Sequence, residues 1–130
     1  MSHFTHIKTR FQNLLYLKKA LNRLNISYKE QLNSLNSEVI NLAISQSNGY
    51  DIEFAWNGEQ YELVTDMSFW QQSSPIESFI DKIAQTYAGE VIISESQKTG
   101  FQAVKYQQNI DGSNTLILER WNHEKVVESV

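Results

Sequence analysis

The sequence predicts an α+β fold. It reads as a single two-layer domain over residues 1–121 with a tail at 122–130, in the element order β-α-β-β-β-α-β-β. The sheet is expected to be mostly antiparallel, with two amphipathic helices on one face. Three observations carry this reading. Tyr50, Ile52, Phe54 and Trp56 alternate with Asp51 and Glu53, the period of a strand buried on one side. Asn57-Gly58 and Ser47-Asn48-Gly49 flank that run as hairpin turns, so the neighbouring strands run antiparallel. Leu14, Leu17, Leu21 and Leu24, and later Ile76, Phe79, Ile80, Ile83, Ala84 and Tyr87, recur at helical spacing.

In chain order, His3 to Lys8 reads as a short first strand anchored by Phe4. Thr9 with Gln12 three residues later has the form of a capping box, and opens helix one. The buried leucine stripe lies opposite Lys19 and Arg23. Asn25 tolerates a left-handed conformation and is expected to end the helix, after which residues 26–37 are polar and read as a connection.

The centre is a meander of residues 38–46, 50–56 and 59–65. A three-residue loop at Ser47-Asn48-Gly49, with Gly49 left-handed, sets Ile44 against Ile52 and Leu42 against Phe54. A two-residue turn at Asn57-Gly58 sets Trp56 against Glu59, Phe54 against Tyr61, Ile52 against Leu63 and Glu53 against Glu62. Ser74-Pro75-Ile76-Glu77 then opens helix two, with serine as cap and proline at the first helical position. Gly89 leaves two readings, a stop followed by a strand at Val91 to Ile93 or a helix continuing to Gly100. Continuation is the preferred one. Phe101 to Gln107 and Thr115 to Trp121 form a last hairpin around Asp111-Gly112.

At 130 residues and 41% hydrophobic, the chain can bury one sizeable core. It has no cysteine, which removes disulfides, thiol catalysis and thiolate metal sites. No apolar run approaches the roughly 20 residues of a membrane span, and MSHFTHIKTR lacks the apolar centre of a signal peptide, so a soluble, unprocessed protein is expected. The net charge of −4 is unevenly spread. Lys8, Arg10, Lys18, Lys19, Arg23 and Lys29 precede or flank the first acid, Glu30, while Asp51, Glu53, Glu59, Glu62 and Asp66 crowd the meander. A charged face is ordinarily just solvated; a docking patch for an acidic partner is the sharper reading of the basic segment.

Candidate chemistry is sparse. His3 and His6 fall on opposite faces of a strand and cannot share a metal there, and His123 with a carboxylate would have to be brought in from afar, so no metal site is expected. Glu53 and Glu62, if directly opposed, repel, and such a pair binds a cation or raises one carboxyl; two solvated glutamates are the plainer alternative. Trp70 either plugs the edge of the core or, exposed together with Trp121, anchors a partner. No glycine-rich phosphate loop, Gly-x-Ser-x-Gly elbow or other cofactor motif occurs.

The opening MSHF with IKT, the segment LKKALNRL, the block NGYDIEFAWNGEQYELVTDMSFW and the ending GFQAVKYQQNIDGSNTLILERW resemble a family of conserved hypothetical proteins encoded in red-type algal plastid genomes and in cyanobacteria. The resemblance runs nearly to Trp121 and is most specific in the central block. Asn25 stands where the family usually has glycine, and both suit a helix end. The resemblance implies a stromal protein of the plastid with no established activity, and supports helix over residues 90–99.

Three functions compete. The leading one is a non-enzymatic accessory protein acting through protein contacts, with Lys19, Arg23, Trp70 and Trp121 as contact residues. The second is an enzyme or binder of a small ligand or cation on the acidic face of the meander, through Glu53 and Glu62. The third and weaker is RNA binding through helix one; the acidic meander argues against its own face binding single-stranded nucleic acid.

Overall fold

The computed structural model describes residues 3–33, 35–120 and 125–129. The chain divides into two compact units, one running to Ile83 and the other from Ala84, with the division inside the second helix. Strands β1 (Phe4–Phe11), β2 (Lys29–Leu32), β3 (Ile40–Ile44), β4 (Ile52–Trp56) and β5 (Tyr61–Asp66) and helix α1 (Leu14–Arg23) belong to the first, with a short 3-10 turn at Met67–Phe69. Helix α2 (Ile76–Lys98) follows, then strands β6 (Phe101–Gln108), β7 (Asn114–Arg120) and β8 (Lys125–Ser129). The fold is α+β, as the sequence predicts.

The first unit is a five-stranded antiparallel sheet in the order β1-β5-β4-β3-β2. α1 and the turns of α2 through Ile83 pack on one face. Leu42, Ile52, Phe54 and Leu63 from the sheet, with Leu17, Ala20, Leu21, Ile76 and Ile83 from the helices, are nearly or wholly buried and form its core. Burying one such side chain is worth about 1.5–3 kcal/mol, so the alternation of β4 and the helix stripes are the main reasons for this arrangement.

The loop between β3 and β4 behaves as its sequence predicts: Ile44 faces Ile52, Leu42 faces Phe54, and Gly49 takes a φ of 82°. The next turn does not. Trp56 pairs with Tyr61, Ala55 with Glu62, Phe54 with Leu63 and Glu53 with Val64, a register two residues longer than a two-residue turn allows. The Asn57 side chain is the cause. Its Oδ1 accepts from the amides of Glu59 and Gln60, both at 2.9 Å, and its own N–H donates to Gln60 O at 3.0 Å, which stabilises a four-residue loop over 57–60. A shift of two leaves every side chain on its expected face, but it separates Glu53 from Glu62.

The first strand is longer than His3 to Lys8 and ends in a bulge. Lys8 faces Glu62 and Phe11 faces Tyr61, so Thr9 and Arg10 are extra, and Arg10 takes a φ of 66°. Thr9 is therefore no helix cap: its buried hydroxyl donates to Tyr61 O at 2.6 Å and accepts from Phe11 N–H. Asn13 caps α1 instead, accepting from Tyr16 N–H at 3.2 Å. At the other end Asn25 is left-handed, with φ 58°, and Ile26 N–H reaches back to Leu21 O while Asn25 N–H reaches Asn22 O.

Residues 29–32, expected to be connection, form the edge strand β2 against β3. Its four residues are all exposed, so no apolar alternation marks it; backbone pairing and a Lys18–Glu30 ion pair hold it in place. Residues 90–99 are helical to Lys98, the preferred reading.

The second unit contains the rest of α2 and a three-stranded antiparallel sheet, β6-β7-β8. The last hairpin turns at Asn109–Ser113 with Gly112 at φ 90°. The Ser113 hydroxyl, donating to Asp111 at 2.6 Å, and the Ser113 N–H hold the Asp111 carboxyl below its ordinary value. Beyond Trp121, where the sequence reads as a tail, Lys125–Ser129 pair with β7.

Candidate functional site

The face of the first sheet opposite the helices carries the candidate site. His6 on β1, Val64 on β5 and Glu53 on β4 stand in one row across three adjacent strands, and Phe4 faces Asp66 in the next. Gly49, Tyr50 and Asp51 of the β3–β4 loop close one side. Together these residues line a concavity of about 550 Å³.

The wall made by Tyr50 is unusual in its support. Tyr50 precedes β4 and therefore does not join Ile52 and Phe54 in the core, as simple alternation would have it. Its ring stacks on Phe69, centroids 3.7 Å apart and planes within 1°. Both rings remain exposed, at 45% for Tyr50 and 38% for Phe69.

Hydrogen bonds clamp the backbone beneath the stack. The buried Gln46 donates through Nε2 to Tyr50 O at 2.5 Å and to Phe69 O at 3.1 Å, and accepts at Oε1 from Gln71 N–H at 2.7 Å and from Gln72 Nε2 at 3.1 Å. Asn48 adds a bond from Nδ2 to Phe69 O and one from its N–H to Gln71 Oε1, while Ser47 Oγ also donates to Gln71 Oε1. Two chain segments some 20 residues apart are thereby fixed to each other, and with them the two rings. Such a ledge loses little conformational freedom when something lies against it.

Among the described residues the lining contains three carboxylates, Asp51, Glu53 and Asp66, and one histidine, with no lysine or arginine. Glu53 Oε1 accepts from Asn41 Nδ2 at 3.0 Å. Asp66 is only 6% exposed; its Oδ1 accepts from Ser68 N–H at 3.0 Å, and its Oδ2 has no partner among the described residues. His6 Nδ1 lies 3.8 Å from Glu62 Oε2, so Glu62 faces β1 rather than Glu53.

The residues singled out from sequence are thus dispersed. Glu53 belongs to the concavity and is half-buried, Glu62 sits beside it across the row from Lys8, and the two are not opposed. Lys19 and Arg23 lie one turn apart on α1 and are exposed. Trp70 is half-buried: its Nε1–H donates to Ser74 O at 2.9 Å and its ring meets Phe79 edge-on at 5.2 Å. Trp121 and His123 lie outside the described residues. Among the described residues no group of three or more histidines and acids is placed to hold a metal ion, and no helix is long and apolar enough to cross a membrane. Sequence reasoning missed Phe4, Gln46, Asp66 and Phe69 as site residues. The only local signal was the density of Asn, Gln and Ser on both sides of the clamp, in SQSN and QQSS.

The family model described as Protein of unknown function (DUF1257) matches residues 20–117. The uncharacterized protein ycf35 of Trieres chinensis is 64% identical over 121 residues, covering 88% of this chain and 94% of its own length. That of Pyropia yezoensis is 40% identical over 130 residues, covering 95% and 100%, and that of Cyanophora paradoxa 32% identical over 128, covering 95% and 100%. No solved structure matches the chain.

Proposed function

Since this chain belongs to the DUF1257 family, plastid-encoded proteins of unknown molecular function found across algal plastids, we propose that it is a non-enzymatic accessory protein of the plastid stroma that binds another protein. Its main contact surface is the aromatic ledge and acidic concavity of the first unit. One observation carries the reading: Tyr50 and Phe69 are exposed and yet locked, by the Gln46 clamp, in a single stacked arrangement. Two large aromatics held rigid beside a concave, charged surface are what an interface anchor requires, because most binding energy comes from a few preorganised aromatic or arginine contacts. Lys19 and Arg23, exposed on α1, are a second contact region in this reading, and Trp121 a third element.

A second reading, a binder of a small cationic ligand, is supported by the concavity itself, whose volume lies within the roughly 300–1,000 Å³ of small-molecule sites. Affinity purification of the tagged protein from plastid lysate separates the two. Compared side by side are the wild type, Tyr50→Ala with Phe69→Ala, and Lys19→Glu with Arg23→Glu. A protein recovered by the wild type and lost with the ledge variant is the expected result. Loss with the α1 variant alone moves the surface to the helix, and no reproducible protein for any form overturns the accessory reading in favour of the ligand.

A further inference from the structure

We infer that the concavity on the first sheet recognises an arginine side chain presented by a basic segment of a protein partner. The inference rests on the protein-binding reading above and adds the chemistry of what is bound. Three independent features converge on it.

The first is charge. Among the described residues Asp51, Glu53 and Asp66 line the space and no lysine or arginine does, so the guest that complements it is a cation. The second is an unfinished hydrogen-bond set. Asp66 is 94% buried by its 6% exposure, one oxygen is used by Ser68 N–H, and Oδ2 meets no described partner. A carboxylate oxygen with no donor among the described residues is open to one, and a donor entering the concavity supplies it. The third is the walls. Phe4 and the stacked Tyr50 are exposed aromatics at the rim, and a planar guanidinium offers both a face to lie on a ring and several N–H groups for carboxylates. An ammonium satisfies the charge but neither the stacking nor the paired donors.

The test is a titration of the full chain with a short valine- and threonine-rich peptide carrying one central arginine, read by NMR shifts at Tyr50, Glu53 and Val64. The same peptide with citrulline, which keeps the shape and removes the charge, and with lysine are run beside it. The arginine peptide is expected to bind at least about tenfold more tightly than the citrulline peptide and more tightly than the lysine one. Glu53→Gln and Asp66→Asn, nearly isosteric, are each expected to erase most of that preference, and Lys19→Glu with Arg23→Glu to leave it unchanged. Equal binding of arginine and citrulline peptides, no binding of either, or a preference that survives both carboxylate changes overturns the inference. A lysate protein retained through the ledge together with indifferent peptides would leave the accessory reading standing and remove only this one. An arginine preference with no lysate protein would do the reverse.

Discussion

The ring of Tyr50 lies flat on that of Phe69, 19 positions later in the chain, and one side chain, Gln46, bonds the backbone carbonyl of each. The stack and the clamp are one device: the rings meet only because the β3–β4 loop and the segment after β5 are held together. The candidate site depends on it.

Replacing Gln46 with leucine is expected to cost about 1 kcal/mol, since Gln71 N–H and the Tyr50 carbonyl lose their described side-chain partner in a part-buried place. Urea denaturation measures the loss. NMR ring-current shifts at Tyr50 should move toward unstacked values, and an unchanged midpoint with an intact stack would refute the role given to the clamp.

Asn25 occupies a left-handed position at the end of α1. Asn25→Gly should be neutral or stabilising by a few tenths of a kcal/mol, and Asn25→Ala destabilising by about 1 kcal/mol, because only alanine brings a Cβ with no compensating polar contact into that conformation. Thermal melts of the three forms give the order.

The longer turn at 57–60 brings Trp56 and Tyr61 edge to face, with centroids 5.1 Å apart. A double-mutant cycle of Trp56→Ala and Tyr61→Ala should return a coupling of about 0.5–1.5 kcal/mol. The shorter turn pairs Trp56 with Glu59 and predicts none.

Burial pushes the Tyr61 phenol above its ordinary value of 10.0, while its hydroxyl donates to Ile40 O at 3.0 Å. The folded state thus holds the proton more tightly than the unfolded one. The stability this contributes is fully present below about pH 10 and is lost as the pH rises through the higher folded value. Urea midpoints taken across that alkaline range should fall for the wild type and fall less for Tyr61→Phe, which in turn should lose about 1 kcal/mol near neutrality with its hydrogen bond.

Asp111, held low chiefly by the Ser113 hydroxyl, should titrate nearer its ordinary 3.8 in Ser113→Ala. A carboxyl-carbon NMR titration reads the midpoint directly. A midpoint unmoved by the substitution would mean the backbone N–H alone sets it.

Much of the first unit could be read locally. The alternation of Ile52, Phe54 and Trp56, the left-handed Gly49 and Asn25, and the start of α2 after Ser74-Pro75 are short-range effects, set by side-chain period and by which residues tolerate which φ. β2 could not, because an edge strand exposed on both faces carries no hydrophobic pattern and exists only by virtue of β3. Of the site, Glu53 was visible as an acid on the polar face of the meander, though in the wrong company. Its neighbour Val64 follows from a register that one asparagine side chain moved by two residues, while Asn41 reaches it from β3.

Sequence alone determined the fold class, the two helices and the faces of the meander strands, because periodicity and turn chemistry act over a few residues. Tertiary structure alone decided that Thr9 fills a bulge, that Tyr50 leaves the core to stack on Phe69, and that Asp66 lines the concavity beside Phe4. Each of these unites groups 19 to more than 60 positions apart, Asp66 meeting Phe4 and Thr9 meeting Tyr61 across the β1–β5 pairing. Such contacts are chosen by the packing of the whole sheet, and no local preference encodes them.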